Sequence, residues 1–128
     1  MKTPIQFVNT PRAPQPGGHY SQALIHGDTV YVSGILPLDP NVDLFSGGSI
    51  EDQTTRVLSS LDAILVASGS SMDRVLKMTL YVTDISHWGS VNRLCARAFG
   101  DHRPARTVVP VKELHHGCLI EIDAVASL

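Results

Sequence analysis

At 128 residues the chain is expected to form one domain, 1–128, long enough to bury roughly two-thirds of the surface an unfolded chain exposes. Its 43% hydrophobic and 17% charged content is that of an ordinary soluble globular protein. A formal net charge of −2, with no run of Lys or Arg, gives neither nucleic acid nor an anionic membrane surface a reason to bind.

In chain order, the Pro- and Gly-rich stretch Pro11–Gly18 predicts a turn or loop. A hairpin follows, with Ala23–His26 and Thr29–Ile35 as strands about a Gly27-Asp28 turn. Val30 and Val32 share one face of the longer strand, Tyr31 and Ser33 the other, and Gly34 ends the pattern. Pro37–Gly48 reads as a loop. The first helix starts near Ser49, whose spacing to Asp52 resembles a capping box with Asp in place of the usual Glu. Val57, Leu58, Leu61, Ile64 and Leu65 make its apolar stripe, and Gly69 is a natural stop.

Val75–Val82 predicts a strand with Leu76, Met78, Leu80 and Val82 on one face. Ser86 is the expected cap of a second helix whose buried stripe is Val91, Leu94, Cys95, Ala98 and Phe99. Two strands close the chain, about Ala105–Val111 and Cys118–Ala126. In the last, Leu119, Glu121, Asp123 and Val125 oppose Cys118, Ile120, Ile122, Ala124 and Ala126. The order is strand, hairpin, helix, strand, helix, strand, strand. It predicts an α+β fold, a mixed sheet of about six strands with two helices on one face. The other face must be solvated or meet other subunits, and its apolar alternate residues favour the second.

Four polar features stand out: Tyr20-Ser21-Gln22, Ser33-Gly34, Arg106 and Glu121. Arg106 lies in the run Pro104-Ala105-Arg106-Thr107-Val108-Val109-Pro110, an apolar strand in which a permanent charge is costly unless an anion meets it. Two readings are open. Arg106 and Glu121 form a structural pair across the sheet, or they frame a cleft in which a ligand supplies the anion.

The segments Gly18-His19-Tyr20-Ser21-Gln22-Ala23, Val30-Tyr31-Val32-Ser33-Gly34, Gln53-Thr54, Val91-Asn92, Pro104–Val111 and Ile120–Ala126 span almost the whole chain. Together they resemble the RidA family of enamine/imine deaminases, also known as the YjgF or UK114 family. The resemblance implies a chorismate-mutase-like fold and a homotrimer with three clefts between subunits. It implies hydrolysis of 2-aminoacrylate-type enamines and 2-imino acids to 2-keto acids and ammonia. By the same resemblance Arg106 grips the substrate carboxylate, Glu121 positions water and Tyr20 closes the cleft. Ser33, Gly34, Asn92 and Val108 line it. No metal, cofactor or covalent nucleophile is implied, and the partners are a small imino acid and two further copies of the chain.

Other readings remain in play. One is a non-catalytic trimeric binder or sensor of small carboxylates that uses Arg106. Another is a deaminase for a larger enamine such as 2-aminomuconate. A third is the RNA-cleaving role ascribed to some relatives, against which the acidic balance argues.

The chain departs from the family pattern in four places. Val108 stands where many members have cysteine, and His19 where proline is usual. The connector 100–105 is shorter, and Leu114-His115-His116 replaces a Leu-Pro turn. His115, His116 and Cys118 lack a fourth ligand at a recognisable metal spacing, and the adjacent histidines are expected to point apart on a solvated turn. Cys95 and Cys118 form no CxxC, which fits free thiols in a reducing cytosol, with Cys95 a small core residue. Trp88 reads as an aromatic staple or interface contact, and Arg93, Arg97, His102 and Arg103 as a solvated helix face. No segment approaches about 18 uninterrupted apolar residues, and Met1-Lys2-Thr3-Pro4 opens no apolar leader, so the expected location is cytoplasmic.

Overall fold

The structure, a computed structural model, describes residues 1–41 and 45–128. Of the predicted Pro37–Gly48 loop, Val42, Asp43 and Leu44 therefore lie outside the described residues. The elements in chain order are β1 (Ile5–Val8), β2 (Ala23–His26), β3 (Thr29–Ile35), α1 (Ile50–Ser68), β4 (Val75–Val82), α2 (Trp88–Phe99), β5 (Ala105–Pro110) and β6 (Ile120–Ser127). The six strands form one mixed sheet in the order β1-β2-β3-β6-β4-β5. Only β4 and β5 run parallel; the other pairs are antiparallel. This is the α+β architecture that the sequence predicts.

Helix α1 begins and ends where its local chemistry directs. Ser49 accepts the Asp52 N–H at 3.1 Å, and the Asp52 carboxylate accepts the Ser49 N–H at 3.3 Å. The box thus closes with the shorter acid. Gly69 caps the other end at φ 85°, a conformation that a side chain makes costly. Between the caps, Val57, Leu61 and Leu65 are fully buried against the sheet. Each such side chain contributes about 1.5–3 kcal/mol through the area it removes from water.

Strand β6 lies between β3 and β4, and its burial alternates without a break. Ile120, Ile122, Ala124 and Ala126 face the helices, while Glu121, Asp123 and Val125 face away. Across the uncovered face, Tyr31 pairs with Val125 and Tyr81 with Glu121. Phe7 and Tyr31 stay exposed there.

Three local expectations need correction. Leu76 is exposed and Val75 buried, because the β4–β6 register slips between Val75 and Lys77. That bulge inserts Leu76 as an extra residue and reverses the side it shows. The start of α2 also differs. Ser86 does not cap it; the Asp84 side chain accepts the Ser86 N–H at 2.9 Å and opens a 3₁₀ turn, Ile85–His87, that runs into the helix. The buried face of α2 is narrower than predicted: Val91, Cys95 and Phe99 at strict four-residue spacing, with Leu94 half-buried and Ala98 exposed.

Candidate active site

One group of the expected site residues gathers where β3 approaches β6. The buried Gln22 fastens the Pro11–Gly18 loop. Its Oε1 accepts the Thr10 N–H at 2.7 Å, and its Nε2 donates to the carbonyls of Thr10 (3.0 Å) and Pro14 (2.9 Å). Ser33 adds a second tie, donating from Oγ to the Ser21 carbonyl at 2.6 Å. Tyr20 stands on this anchored loop with its ring exposed and its hydroxyl accepting the Gly17 N–H at 3.2 Å. Glu121 points from β6 toward Gly34, which sits in an irregularity of the β3–β6 register between Val32 and Ile35. Tyr20, Ser33, Gly34 and Glu121 together line a cleft of about 780 Å³.

Burial pushes the Glu121 carboxyl above its ordinary value, and the charge of Asp123 pushes the same way, while His115 opposes them. A carboxylate so placed binds a proton more readily than one in water, which suits a proton acceptor. His115 and His116 share this cleft from a 3₁₀ turn, His115–Gly117. They do not point apart as expected. His116 takes φ 63°, and the resulting turn stacks the two rings at 3.8 Å and 22°.

A second group gathers on the other side of the sheet. Arg106 on β5 is in register with the buried Met78 and so shares the helix-bearing side. With Asn92 and Cys95 of α2 it lines a separate cleft of about 530 Å³. The guanidinium carbon lies 5.7 Å from the centre of the Trp88 ring, a cation–π contact. Burial pushes the Cys95 thiol up, and the charge and hydrogen bond of Arg106 pull it back. Among the described residues no carboxylate pairs with Arg106. Val108 lies on the same side of β5, packs against the core, and is not among the residues lining the Arg106 cleft. His102 is not on a solvated face. It reaches the Val75 carbonyl at 2.7 Å and pins the short 100–105 connector to the β4 bulge.

Arg106 and Glu121 therefore do not meet within one chain. Strand β4 separates β5 from β6. The Arg106 side chain leaves on the side of Met78, that of Glu121 on the side of Tyr81. A structural ion pair between them within the chain is excluded, and what remains is two groups of residues on opposite sides of one sheet. Sequence reasoning missed the Trp88 contact, although Trp88, Asn92 and Cys95 stand at i, i+4 and i+7 on one helix face, a spacing that marks them as neighbours. It also missed the anchoring role of Gln22, which carries no signal in sequence beyond a polar residue at a strand start. Among the described residues no three metal-ligating side chains come together. Among the described residues no helix is long and apolar enough to cross a membrane.

The pattern of the family described as Endoribonuclease L-PSP matches residues 10–128. The chain is 40% identical over 121 residues to the RutC family protein PH0854 of Pyrococcus horikoshii, covering 94% of this chain and 96% of that one. It is 37% identical over 123 residues to the chloroplastic Reactive Intermediate Deaminase A of Arabidopsis thaliana, covering 96% of this chain and 66% of that one. Its fold is similar to that of TdcF of E. coli, solved with bound serine, at TM-score 0.91 and 31% identity over 96% of this chain and 98% of that one. With pattern, near-full-length identity and fold in agreement, the chain belongs to the RidA (YjgF/UK114) family.

Proposed function

We propose that this chain hydrolyses 2-aminoacrylate-type enamines and 2-imino acids to 2-keto acids and ammonia, in clefts shared between the subunits of a homotrimer. The observation that carries the reading is the division of the site. Arg106 and Asn92 lie on one side of the sheet; Glu121, Ser33, Gly34 and Tyr20 lie on the other. A two-fold dimer that packs one sheet face against the same face of its partner leaves the two halves apart. A head-to-tail ring brings them together at every interface, and three is the smallest number of copies for such a ring. The exposed Phe7 and Tyr31 on the uncovered face give the copies an apolar surface to bury.

In this arrangement the guanidinium, free of protein acids, receives the substrate carboxylate as a bidentate pair contributing about 1.5–3 kcal/mol. The neighbouring C=N carbon is then fixed opposite Glu121 of the next copy. Water oxygen bonds to that carbon as the C=N π pair moves to nitrogen, and Glu121 carries a water proton to the nitrogen. The carbinolamine next gives up its hydroxyl proton through the same carboxylate. The amine takes it, the C–N bond breaks, ammonia leaves and the carbonyl forms. An enamine enters as its imine tautomer. An electrophilic C=N carbon accepts water without a metal, cofactor or covalent intermediate, so positioning and proton transfer suffice. Tyr20, at the rim, closes over the bound acid.

Release of pyruvate from freshly generated 2-aminoacrylate, compared with the spontaneous rate, tests the proposal. The parent accelerates it and Arg106→Ala does not, with the fold unchanged by circular dichroism. A parent that binds pyruvate yet leaves the spontaneous rate untouched is a carboxylate binder, and the deaminase reading is wrong.

A further inference from the structure

The Glu121 cleft has a far wall unlike the rest. At about 780 Å³ it extends beyond Gly34 and Glu121 over an apolar floor that includes Leu36, Leu38 and Ile64. No Lys or Arg lines it. Its basic groups are the imidazoles of His115 and His116. The rings lie 3.8 Å apart and 22° from parallel. Each imidazole offers a ring N–H, and two donors on rings this close can be shared by the two oxygens of one carboxylate. The pair is held by a backbone that a non-glycine residue adopts at a cost, His116 at φ 63°.

We propose that the stacked His115–His116 pair is a second anion site, which receives a distal carboxylate of the substrate. The preferred substrates are then dicarboxylic 2-imino acids, with one acid group on Arg106 and the other on the histidine pair. The inference rests on the deaminase reading for its catalytic meaning, though the anion site itself can be probed without turnover.

The experiment compares kcat/KM for 2-iminoglutarate and 2-iminopropanoate, generated in place from glutamate and alanine by an amino-acid oxidase. The parent is set against a His115→Gln/His116→Asn double variant, Asn being chosen because it tolerates the left-handed backbone. The expected result is a fall of about tenfold or more in the dicarboxylate-to-monocarboxylate ratio, the loss of a charge-assisted contact. An unchanged ratio overturns the proposal, whatever happens to the absolute rates. In parallel, the histidine ring resonances of the parent are followed during titration with glutarate and with acetate. Saturable shifts of both rings with glutarate alone support the site, and their absence overturns it. If the parent hydrolyses neither imine, the deaminase reading falls and the glutarate titration still decides the anion site.

Discussion

Gly34 and Glu121 face each other so closely that no side chain fits between them. A Cβ at position 34 would overlap Oε1 of Glu121 and lie 3.2 Å from its Cδ. The absence of a side chain at 34 therefore sets where the carboxylate rests. Gly34→Ala is expected to leave the fold intact, because the position is at the cleft and open to solvent, while forcing the carboxylate aside. Displacement of a proton acceptor by about 1 Å costs on the order of a hundredfold in rate. The check is kcat on 2-aminoacrylate beside the melting temperature. A rate near the parent's, with a normal melt, would show that the carboxylate's resting place is unimportant.

The proposed sharing of each cleft between two copies predicts complementation. Arg106→Ala and Glu121→Gln should each be inactive as pure proteins. After the two are mixed and allowed to exchange subunits at random, about a quarter of the clefts draw an intact Arg106 from one copy and an intact Glu121 from the next. Activity should return to roughly that fraction. If differently tagged copies co-purify and the mixture stays dead, the shared cleft is wrong.

Trp88 is the chain's single tryptophan, and its ring lies against Arg106. A carboxylate arriving on the guanidinium changes the charge above that ring. Pyruvate or another small acid should therefore shift the intrinsic fluorescence saturably. In Arg106→Lys the shift should weaken, since an ammonium replaces the planar fork with a point charge. A parent titration with no change in emission would argue that anions bind elsewhere.

Much of this molecule was readable from residue order. The capped helix α1, the hairpin and the strict alternation of β6 follow from local rules that nothing distant overrides. Leu76 faces the other way because a bulge depends on a partner strand that sequence does not reveal, whereas the Asp84 cap that displaces Ser86 is a local signal two residues upstream. Arg106 and Glu121 were picked out by their chemistry. Their relation was not legible, because it depends on β4 inserting between β5 and β6, a matter of topology. The His115–His116 stack turns on one positive φ at a non-glycine residue, which composition gives no reason to expect.

The buried hydrogen bonds of Gln22 predict an effect on both stability and activity. Its side chain serves the Thr10 N–H and the carbonyls of Thr10 and Pro14, and it is 4% exposed. Gln22→Ala leaves at least one of those backbone groups without a partner, at about 1–3 kcal/mol for each that water cannot reach. Because the same bonds hold the loop that carries Tyr20, the rim of the cleft should loosen as well. The melting temperature falls, and KM for imino acids rises more than kcat drops. Denaturant melts and steady-state kinetics on one preparation separate this from a purely structural defect, in which active-site occupancy falls and KM stays put.

Glu121 itself should trade stability for chemistry, and the sign follows from its shift. Burial and Asp123 raise its folded-state pKa above the ordinary 4.5, so the folded protein holds that proton more tightly than the unfolded chain does. The stability this lends is fully present below the unfolded value and is lost as pH rises through the folded one. Above the unfolded value, holding Glu121 as a carboxylate is therefore a burden that Glu121→Gln relieves. The variant should melt above the parent at pH 7–8, and the gap should close as pH is lowered below about 4.5. Over the same descent the parent's kcat/KM should fall, as the proton acceptor is lost. Melting curves from pH 4 to 8 decide the matter, and a gap of constant size would mean that the substitution acts through packing and not through the charge.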